Sequence, residues 1–574
     1  MTDYKESISE AIFAASEGKM QKKEIFSSLE MPPSPELGDY AFPCFKLSAA
    51  MKQKPSAIAE KLAEKILTPK GITEAIPNGA YLNFFIAKEG LAKETLEKIV
   101  KEKDSYGKSG FGKKQSIMVE YSGPNSNKPL HIGHLRNNCL GMAISNTLEA
   151  NSFKVTKANI VNDRGIHICK SMLAYKLFGN KSNPKKEAKK PDHFVGDYYV
   201  MYNQKAQENP GLEEQAYEML KKWEQKDKET IKLWKQMTNW ALEGFKQTYK
   251  EFGSKFDTWF FESQFYDKAK PIISQGKKKG IFRQNEEGAL VAQLEEHGLP
   301  NKTILRADGT SIYITNDLAL TKHKFEKYKL DESIWVVGSE QELYFQQLFK
   351  TFELLGYAWA KNCKHLSYGM VNLPSGKLKS REGKVVDADD LIKELESLVK
   401  EEINKRGGAK NEKEFESRAR AIALAAIKFH LLKGTAQKDI LFNPRESISF
   451  EGETGPYIQY TYARAKSILE KAGNPNIKAF KAIRLTGPEE QKIIKLLAAY
   501  PSKIEKSLKQ LSPHVICQFL IELAEAFNTF YHKHQVLQAG SEEIKNERLV
   551  LVQATAQVLK NGLKLLDIEA IEKM

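Results

Sequence analysis

The sequence predicts an α/β protein: a central domain built on a parallel β-sheet, preceded by a smaller α+β domain and followed by an all-helical one. Three observations predict this. Residues 116–121 form a short apolar run with β-branched Ile117 and Val119, broken by Gly123-Pro124, and from Leu130 the apolar positions recur at helical spacing. Downstream, to about residue 395, short strand-like runs mix with longer helical patterns, as in a sheet carrying crossover helices. Beyond that point the periodicity is almost wholly helical.

In chain order, residues 1–112 alternate helical and strand-like segments. Pro55-Ser-Ala-Ile-Ala-Glu-Lys-Leu reads as helix and Tyr81-Leu-Asn-Phe-Phe-Ile as strand. The section ends in the linker Tyr106-Gly-Lys-Ser-Gly-Phe-Gly-Lys-Lys. Residues 113–395 hold the parallel sheet, with a polar, Lys/Glu-rich helical insertion near 180–250. Within them, Val161-Asn162-Asp163-Arg164-Gly165 and Val336-Val337-Gly338-Ser339-Glu340-Gln341 each run from an apolar strand into a polar loop. Arg306-Ala-Asp-Gly-Thr-Ser-Ile-Tyr-Ile-Thr-Asn-Asp317 reads as a hairpin turn, then a strand, then a helix cap. Residues 396–574 are helical, with Gly407-Gly408-Ala409 as one break.

Composition narrows the function classes. The formal net charge is +15 with a pI near 9.1, which favours a polyanionic partner by field alone. The basic residues are spread along the chain, so a nucleic acid would have to meet folded surfaces. No apolar run is long enough to span a bilayer, and the N-terminus lacks the profile of a signal peptide. The five cysteines never pair as Cys-x-x-Cys, so neither a disulfide scaffold nor a thiolate zinc site is expected; a cytoplasmic location and no membrane partner are.

The richest segment is His131-Ile132-Gly133-His134, approached by Pro124-Asn125-Ser-Asn-Lys128-Pro129-Leu130. Two histidines one turn apart at a helix N-terminus, just after a strand, stand where free backbone N–H groups and the helix dipole hold a polyphosphate. Gly133 between them lets a flat base lie on the backbone. The chemistry this points to is activation at a nucleotide α-phosphate. A solvated helix face is the plain alternative, and a metal site is disfavoured for want of a third ligand. Farther on, Lys377-Leu-Lys379-Ser380-Arg381-Glu382-Gly383-Lys384 is a Gly-flanked basic loop able to place cations on phosphates, or an ordinary charged turn.

Taken together, these segments resemble the class I aminoacyl-tRNA synthetases, and the arginyl-tRNA synthetases in particular. The tetrad matches the HIGH signature, and the basic loop stands in the place of the KMSKS signature. Segments similar to the arginyl family are Glu120-Tyr-Ser-Gly-Pro-Asn125, the Asn162-Asp-Arg-Gly turn, Arg306 to Asp317, Glu340-Gln-Glu-Leu-Tyr-Phe-Gln-Gln and Phe450-Glu-Gly-Glu-Thr-Gly-Pro-Tyr-Ile-Gln-Tyr-Thr-Tyr-Ala-Arg464. Leu37-Gly38-Asp39 and the closing Met574 also fit.

The resemblance implies a Rossmann-like catalytic domain, an N-terminal domain that contacts the tRNA elbow and a helical anticodon-binding domain. It implies that arginine and ATP give arginyl-adenylate, and that arginine then passes to the 3′-terminal ribose of tRNA-Arg. His131, His134 and Lys128 would be catalytic. Gly133, Met370, Val371, Lys377, Lys379, Ser380 and Arg381 would bind ATP. Glu120, Asp317, Glu262 and the Tyr313 hydroxyl would face the guanidinium, with Asn125 and Gln341 on the α-amino and carboxylate end. Asn83, Tyr457, Tyr460, Tyr531 and Met574 would contact tRNA. Magnesium is expected with ATP as substrate, with no protein-bound metal or prosthetic group, and the chain is expected to be a monomer.

Departures from the family pattern matter as well. Ser380 stands where the signature's second lysine would be, and Lys128, just before the tetrad, is correctly placed to replace that cation. Glu382 and Tyr344, the latter where many relatives have histidine, receive no ligand or catalytic role. Other HIGH enzymes are disfavoured by the missing zinc thiolates and by the segments around Glu120 and Asp317. A catalytically dead RNA-binding relative is disfavoured by the intact tetrad.

Overall fold

The computed structural model describes residues 4–30, 32, 37–374, 386–405, 411–475 and 480–574. The chain divides into two compact units. One comprises Met1–Tyr106, Arg464–Tyr500 and Glu522–Leu559; the other comprises Gly107–Ala463, Pro501–Ile521 and Lys560–Met574.

The second unit is built on a five-stranded parallel sheet of β1 (Ser116–Glu120), β2 (Lys154–Val161), β3 (Thr258–Phe261), β4 (Glu332–Gly338) and β5 (Cys363–Tyr368), in the order β5-β4-β1-β2-β3. Chain order therefore reverses between β1 and β4. In such sheets the crevice outside the carboxyl ends at that point is where ligands bind. Ile117, Met118 and Val119 of β1 and Ile334, Trp335 and Val336 of β4 are all buried, the continuous apolar pattern of a sheet covered on both faces. Helix α1 (Ile132–Ala150) follows β1, and 15 of its 19 residues are buried, so its polar residues lie inside the protein. Gly141 is required there, because a Cβ would sit 2.2 Å from the Tyr121 ring.

Between β2 and β3 the chain forms a helix at Ile166–Phe178 and three more at Pro191–Glu208, Gly211–Glu224 and Lys228–Phe252. Their own core includes Phe194, Tyr198, Tyr202, Leu212 and Met219. A small antiparallel sheet (Phe282–Gln284, Leu290–Ala292, Lys302–Leu305) precedes the Arg306 turn. Here the sequence expectation is corrected. The strand lies before the turn, and helix α2 (Tyr313–Tyr328) begins where a strand was expected. The cause is local: the Ile312 N–H donates to the Thr315 hydroxyl at 3.0 Å, which starts the helix early and puts Tyr313 and Asp317 one turn apart on one face.

A short parallel pair, Val371–Asn372 with Ile440–Leu441, and helices Ala388–Lys405 and Glu412–Leu432 follow. The basic loop of residues 377–384 and the Gly407-Gly408-Ala409 break lie outside the described residues. Four helices, Gly455–Lys471, Pro488–Gln510, His514–Lys533 and Glu542–Leu565, complete the chain and contribute to both units. Among the described residues no helix is long and apolar enough to cross a membrane.

The first unit carries a three-stranded antiparallel sheet with Tyr81–Ile86 between Tyr40–Pro43 and Ile72–Asn78. The expected helix is present as Pro55–Lys65. Gly38 adopts φ +98°, and a Cβ there would meet the Phe84 carbonyl at 2.8 Å, so the chain can close on the central strand only with glycine. Asp39 then accepts the Ile86 N–H at 2.9 Å and pairs with Lys495 at 2.6 Å.

Candidate active site

The carboxyl end of β1 is shaped by unusual backbone. Ser122 at φ +79° and Gly123 at φ +61° bend the chain away from the strand. Asn137 of α1 secures the bend: its Oδ1 accepts the Ser122 N–H at 2.5 Å, and its Nδ2 donates to the Val336 carbonyl of β4 at 2.7 Å. The Ser122 hydroxyl lies 2.6 Å from that of Tyr249. Asn125 is held by a parallel bridge to Asn162, at the end of β2.

His131 is the N-cap of α1. Its Nδ1 accepts the Gly133 N–H at 3.1 Å, and its own N–H donates to His134 Nδ1 at 3.1 Å. A backbone N–H can only donate, so both Nδ1 atoms are unprotonated and each neutral ring carries its hydrogen on Nε2. Burial, reinforced by Lys128, pulls His131 down to about 4 and His134 well below its ordinary range. Burial also lowers the Lys128 ammonium. The pair therefore presents uncharged Nε2–H donors at neutral pH, with Lys128 as the nearby cation. This refines the anion site expected from the helix end. The Ile132 N–H is already bonded to the Val386 carbonyl (3.0 Å) and the His134 N–H to the His131 carbonyl (2.8 Å), so the imidazoles replace free backbone donors. Gly133 is needed because a Cβ would stand 2.9 Å from the His131 ring.

One turn along α1, Arg136 is fully buried. Its Nη1 donates to the carbonyls of Gly369 (2.5 Å) and Met370 (3.0 Å), and its Nη2 to those of Ala436 (2.8 Å) and Lys438 (2.7 Å). It thereby ties Met370 and the Val371–Asn372 strand to the tetrad helix. Met370 is 58% exposed and Val371 half-buried. Lys377, Lys379, Ser380 and Arg381 lie outside the described residues.

The second half of the site is acidic. Glu262, in the turn after β3, is 6% exposed; its Oε1 accepts from Asn316 Nδ2 at 3.0 Å, while its Oε2 is buried with no hydrogen-bond partner among the described residues. Burial, with the Asp317 charge adding to it, pushes this carboxyl up to about 7. Asp317 is half-buried and itself raised to about 6 by burial, although the Tyr344 hydroxyl bonded to its Oδ2 works the other way. Tyr313, one helical turn before Asp317, is 63% exposed, and its hydroxyl feels both carboxylates. Two carboxylates that disfavour each other's charge, one with an open buried oxygen, form a receptor for a cation with several donors.

Asp163, at the end of β2, seats this pocket by accepting the Ser263 N–H (2.9 Å) and hydroxyl (2.7 Å). Arg164 beside it pairs with Glu224 at 2.5 Å and lies 4.7 Å from the Tyr266 ring centroid. The pocket residues thus come from the carboxyl ends of β2 and β3 and the start of α2, while Gln341 is exposed in the turn after β4.

Glu120 is brought to this sheet edge in a different state from that expected for an open ligand. Its carboxylate is ion-paired with Lys324 of α2, and both residues are buried, with the ammonium 5.3 and 5.2 Å from the Phe260 and Trp335 rings. Lys324, Arg136 and Asn137 were not singled out from sequence, and Tyr344 was noted there only as a departure without a role. The run Arg136-Asn137-Asn138 inside the helical pattern that follows the tetrad was the available signal for Arg136 and Asn137; Lys324 gave none.

Of the residues expected to meet tRNA, Asn83 is 5% exposed in the middle of the central strand of its sheet. Tyr457, Tyr460 and Met574 are half-buried. Tyr531 is 41% exposed, with the Arg464 guanidinium 4.9 Å from its ring centroid.

Residues 95–443 match the tRNA synthetases class I (R) catalytic domain, residues 458–574 the DALR anticodon binding domain, and residues 2–86 the arginyl tRNA synthetase N-terminal domain. The arginine–tRNA ligase of Treponema denticola is 43% identical over 95% of each chain, and that of Borrelia hermsii 41% identical over 96% of this chain and 95% of that one. The solved arginyl-tRNA synthetase of Thermus thermophilus superposes with a TM-score of 0.82 at 27% identity, covering 99% of this chain and all of that one. The Plasmodium falciparum arginyl-tRNA synthetase shares the fold, with a TM-score of 0.78 at 19% identity over 99% of each chain.

Proposed function

The chain belongs to the class I arginyl-tRNA synthetase family and is an arginine–tRNA ligase, and from that premise we propose how its residues divide the reaction. L-Arginine is activated with ATP to arginyl-adenylate and pyrophosphate, and arginine is transferred to the 3′ end of tRNA-Arg. In the first step an arginine carboxylate oxygen bonds to the α-phosphorus while the bond to the pyrophosphate oxygen breaks. In the second, the terminal ribose 2′-hydroxyl attacks the arginyl carbonyl and AMP leaves. Neither step needs a protein nucleophile, so positioning and charge stabilisation carry the rate.

His131 and His134 donate their Nε2 hydrogens to the reacting phosphate, and Lys128 supplies the charge that Ser380 does not. Gly133, Met370 and Val371 border the adenine. Lys377, Lys379, Ser380 and Arg381 attend the phosphates, and magnesium enters bound to ATP.

Glu262 and Asp317 receive the guanidinium, with Tyr313 beside them. Glu120, neutralised by Lys324, supports this wall. Asn125 and Gln341 hold the α-amino and carboxylate end. tRNA-Arg meets Asn83, Tyr457, Tyr460, Tyr531 and Met574, and the enzyme works as a monomer in the cytoplasm.

The open, buried Oε2 of Glu262 next to Asp317 is the observation that carries the arginine assignment. A neutral competitor would leave that oxygen desolvated and unpaired, at a cost of about 1–3 kcal/mol or more. Charging purified tRNA with each amino acid in turn is the test. Arginine alone should be accepted, and efficient charging with lysine or citrulline would overturn the assignment.

A further inference from the structure

The helical insertion reaches the phosphate end of its unit through an ionic cluster with no part in the reaction as described. Lys190 Nζ lies 2.6 Å from Asp389 Oδ2, 3.1 Å from Asp192 Oδ2 and 2.5 Å from the Thr248 hydroxyl, which itself donates to Asp389 Oδ1 at 2.9 Å. His193 Nε2 lies 2.9 Å from Asp389 Oδ2 and 3.5 Å from Asp387 Oδ2. Asp192, fully buried, fills the space that a side chain at Gly244 would need, its Oδ1 standing 2.1 Å from a Cβ there. The ligand atoms of Asp192, His193 and Asp389 gather within 4.8 Å of one another, but the Lys190 ammonium supplies the cation among them.

The far side of this cluster is the backbone opposite His131. Asp387 accepts the N–H groups of Asp389 (2.9 Å) and Asp390 (3.2 Å), fixing the first turn of helix Ala388–Lys405. The residues on either side of Asp387 pair with the tetrad: the Ile132 N–H donates to the Val386 carbonyl and the Ala388 N–H to the Leu130 carbonyl, both at 3.0 Å. The insertion also bears on the approach itself, since a Cβ on Gly196 would stand 2.8 Å from Pro129. A chain of short contacts therefore runs from Lys190 and His193 through Asp389 and Asp387 to the backbone that carries both imidazoles.

We propose that Lys190 and His193 are positioning residues for adenylate formation, locking 386–388 against 130–132 so that the two Nε2–H donors hold their aim. This rests on the histidine roles proposed above. Three carboxylates meet here, and without the two cations Asp192 and Asp389 would repel each other while buried. Burial opposes the charged form of His193, but its bond to Asp389 and the charges of Asp387 and Asp192 outweigh that and raise it, so it belongs to the cationic side. The cluster joins the starts of two helices, so losing a cation displaces the adjoining backbone locally.

The test uses the full-length enzyme and its Lys190→Met, His193→Gln and Lys190→Arg variants. Arginyl-adenylate formation is followed in a single turnover with tRNA present, together with the KM for arginine and hydrogen exchange at the Ile132 and Ala388 amides. Lys190→Met should slow adenylate formation by about 10- to 100-fold, the scale of a misplacement of about 1 Å. His193→Gln should slow it about tenfold, and Lys190→Arg should stay near wild type. The arginine KM should hold within about twofold, and the two amides should exchange faster in the slowed variants. Faster exchange with an unchanged rate, or a rate loss with unchanged exchange, would overturn the proposal. Should Lys190→Met not fold, His193→Gln alone decides. If the wild-type enzyme fails to activate arginine, the functional reading falls separately, and the exchange measurement still judges the mechanical link.

Discussion

Tyr344 donates its hydroxyl hydrogen to Oδ2 of Asp317, which aims the carboxylate. Tyr344 thus acts through Asp317, as a positioning residue. Removing the bond in Tyr344→Phe should raise the arginine KM about tenfold, the scale of one hydrogen bond to a charged group, and leave that for ATP unchanged. Because the bond holds Asp317 below where burial alone would put it, the loss should be greater at pH 6 than at pH 8. Aminoacylation kinetics at both pH values check this, and an equal loss at both would remove the tyrosine from the acidic pocket.

Asp317→Ala should raise the arginine KM far more than that for ATP. Asp317 lies one helical turn from Tyr313, and its charge helps to raise the Glu262 carboxyl. Comparable changes in both constants would place Asp317 away from the guanidinium.

Glu262 links acidity to both stability and binding. Its folded-state value, about 7, lies above the ordinary 4.5, so the folded apo protein binds the proton more tightly than the unfolded chain does. This group therefore favours folding at pH below about 4.5 and loses that contribution as pH rises through about 7, while arginine binding needs the ionised form and fails as pH falls. Glu262→Gln should raise the melting temperature of the apo enzyme at pH 8 and remove most of that gain at pH 5. It should also weaken arginine by roughly 100-fold. Calorimetry of both proteins at the two pH values, with arginine titrations, checks both signs.

ATP–pyrophosphate exchange with arginine should require tRNA-Arg, as arginyl enzymes generally do. Radiolabelled pyrophosphate exchange with and without tRNA measures this directly, and full-rate exchange in its absence would refute it.

Arg136→Lys should raise the ATP KM about tenfold while leaving that for arginine unchanged. A lysine keeps the charge but loses the planar fork that spans four carbonyls, so Met370 and Val371 lose their anchor to α1. An unchanged ATP KM would show that this strand does not border the nucleotide.

The sheet was legible because both-face burial leaves a continuous apolar signature, as at Ile117–Val119 and Ile334–Val336. The tetrad was legible through its setting, because the Pro124-Asn125 to Lys128-Pro129 approach stands in front of it, between a strand and a helical pattern. The state of those residues was not. Local spacing cannot say that Lys324 arrives from α2 to neutralise Glu120, or that His131 and His134 turn their Nδ1 atoms to the backbone. The strand expected at Tyr313 failed because one hydroxyl, Thr315, starts α2 early. Tyr344 stands out in the sequence as a departure, but its bond to Asp317 is not legible there, since that partner is 27 residues away.

The neutrality of the two imidazoles bears on what happens after the bond to the α-phosphorus has formed. A fixed cluster of cations would grip the departing pyrophosphate as firmly as it steadied the reacting phosphate. In the roles proposed for them, uncharged Nε2–H donors would steady the phosphate without adding that grip. On the roles proposed above, the tetrad adds no fixed charge to hold the departing product, and that hold falls to Lys128 and the basic loop.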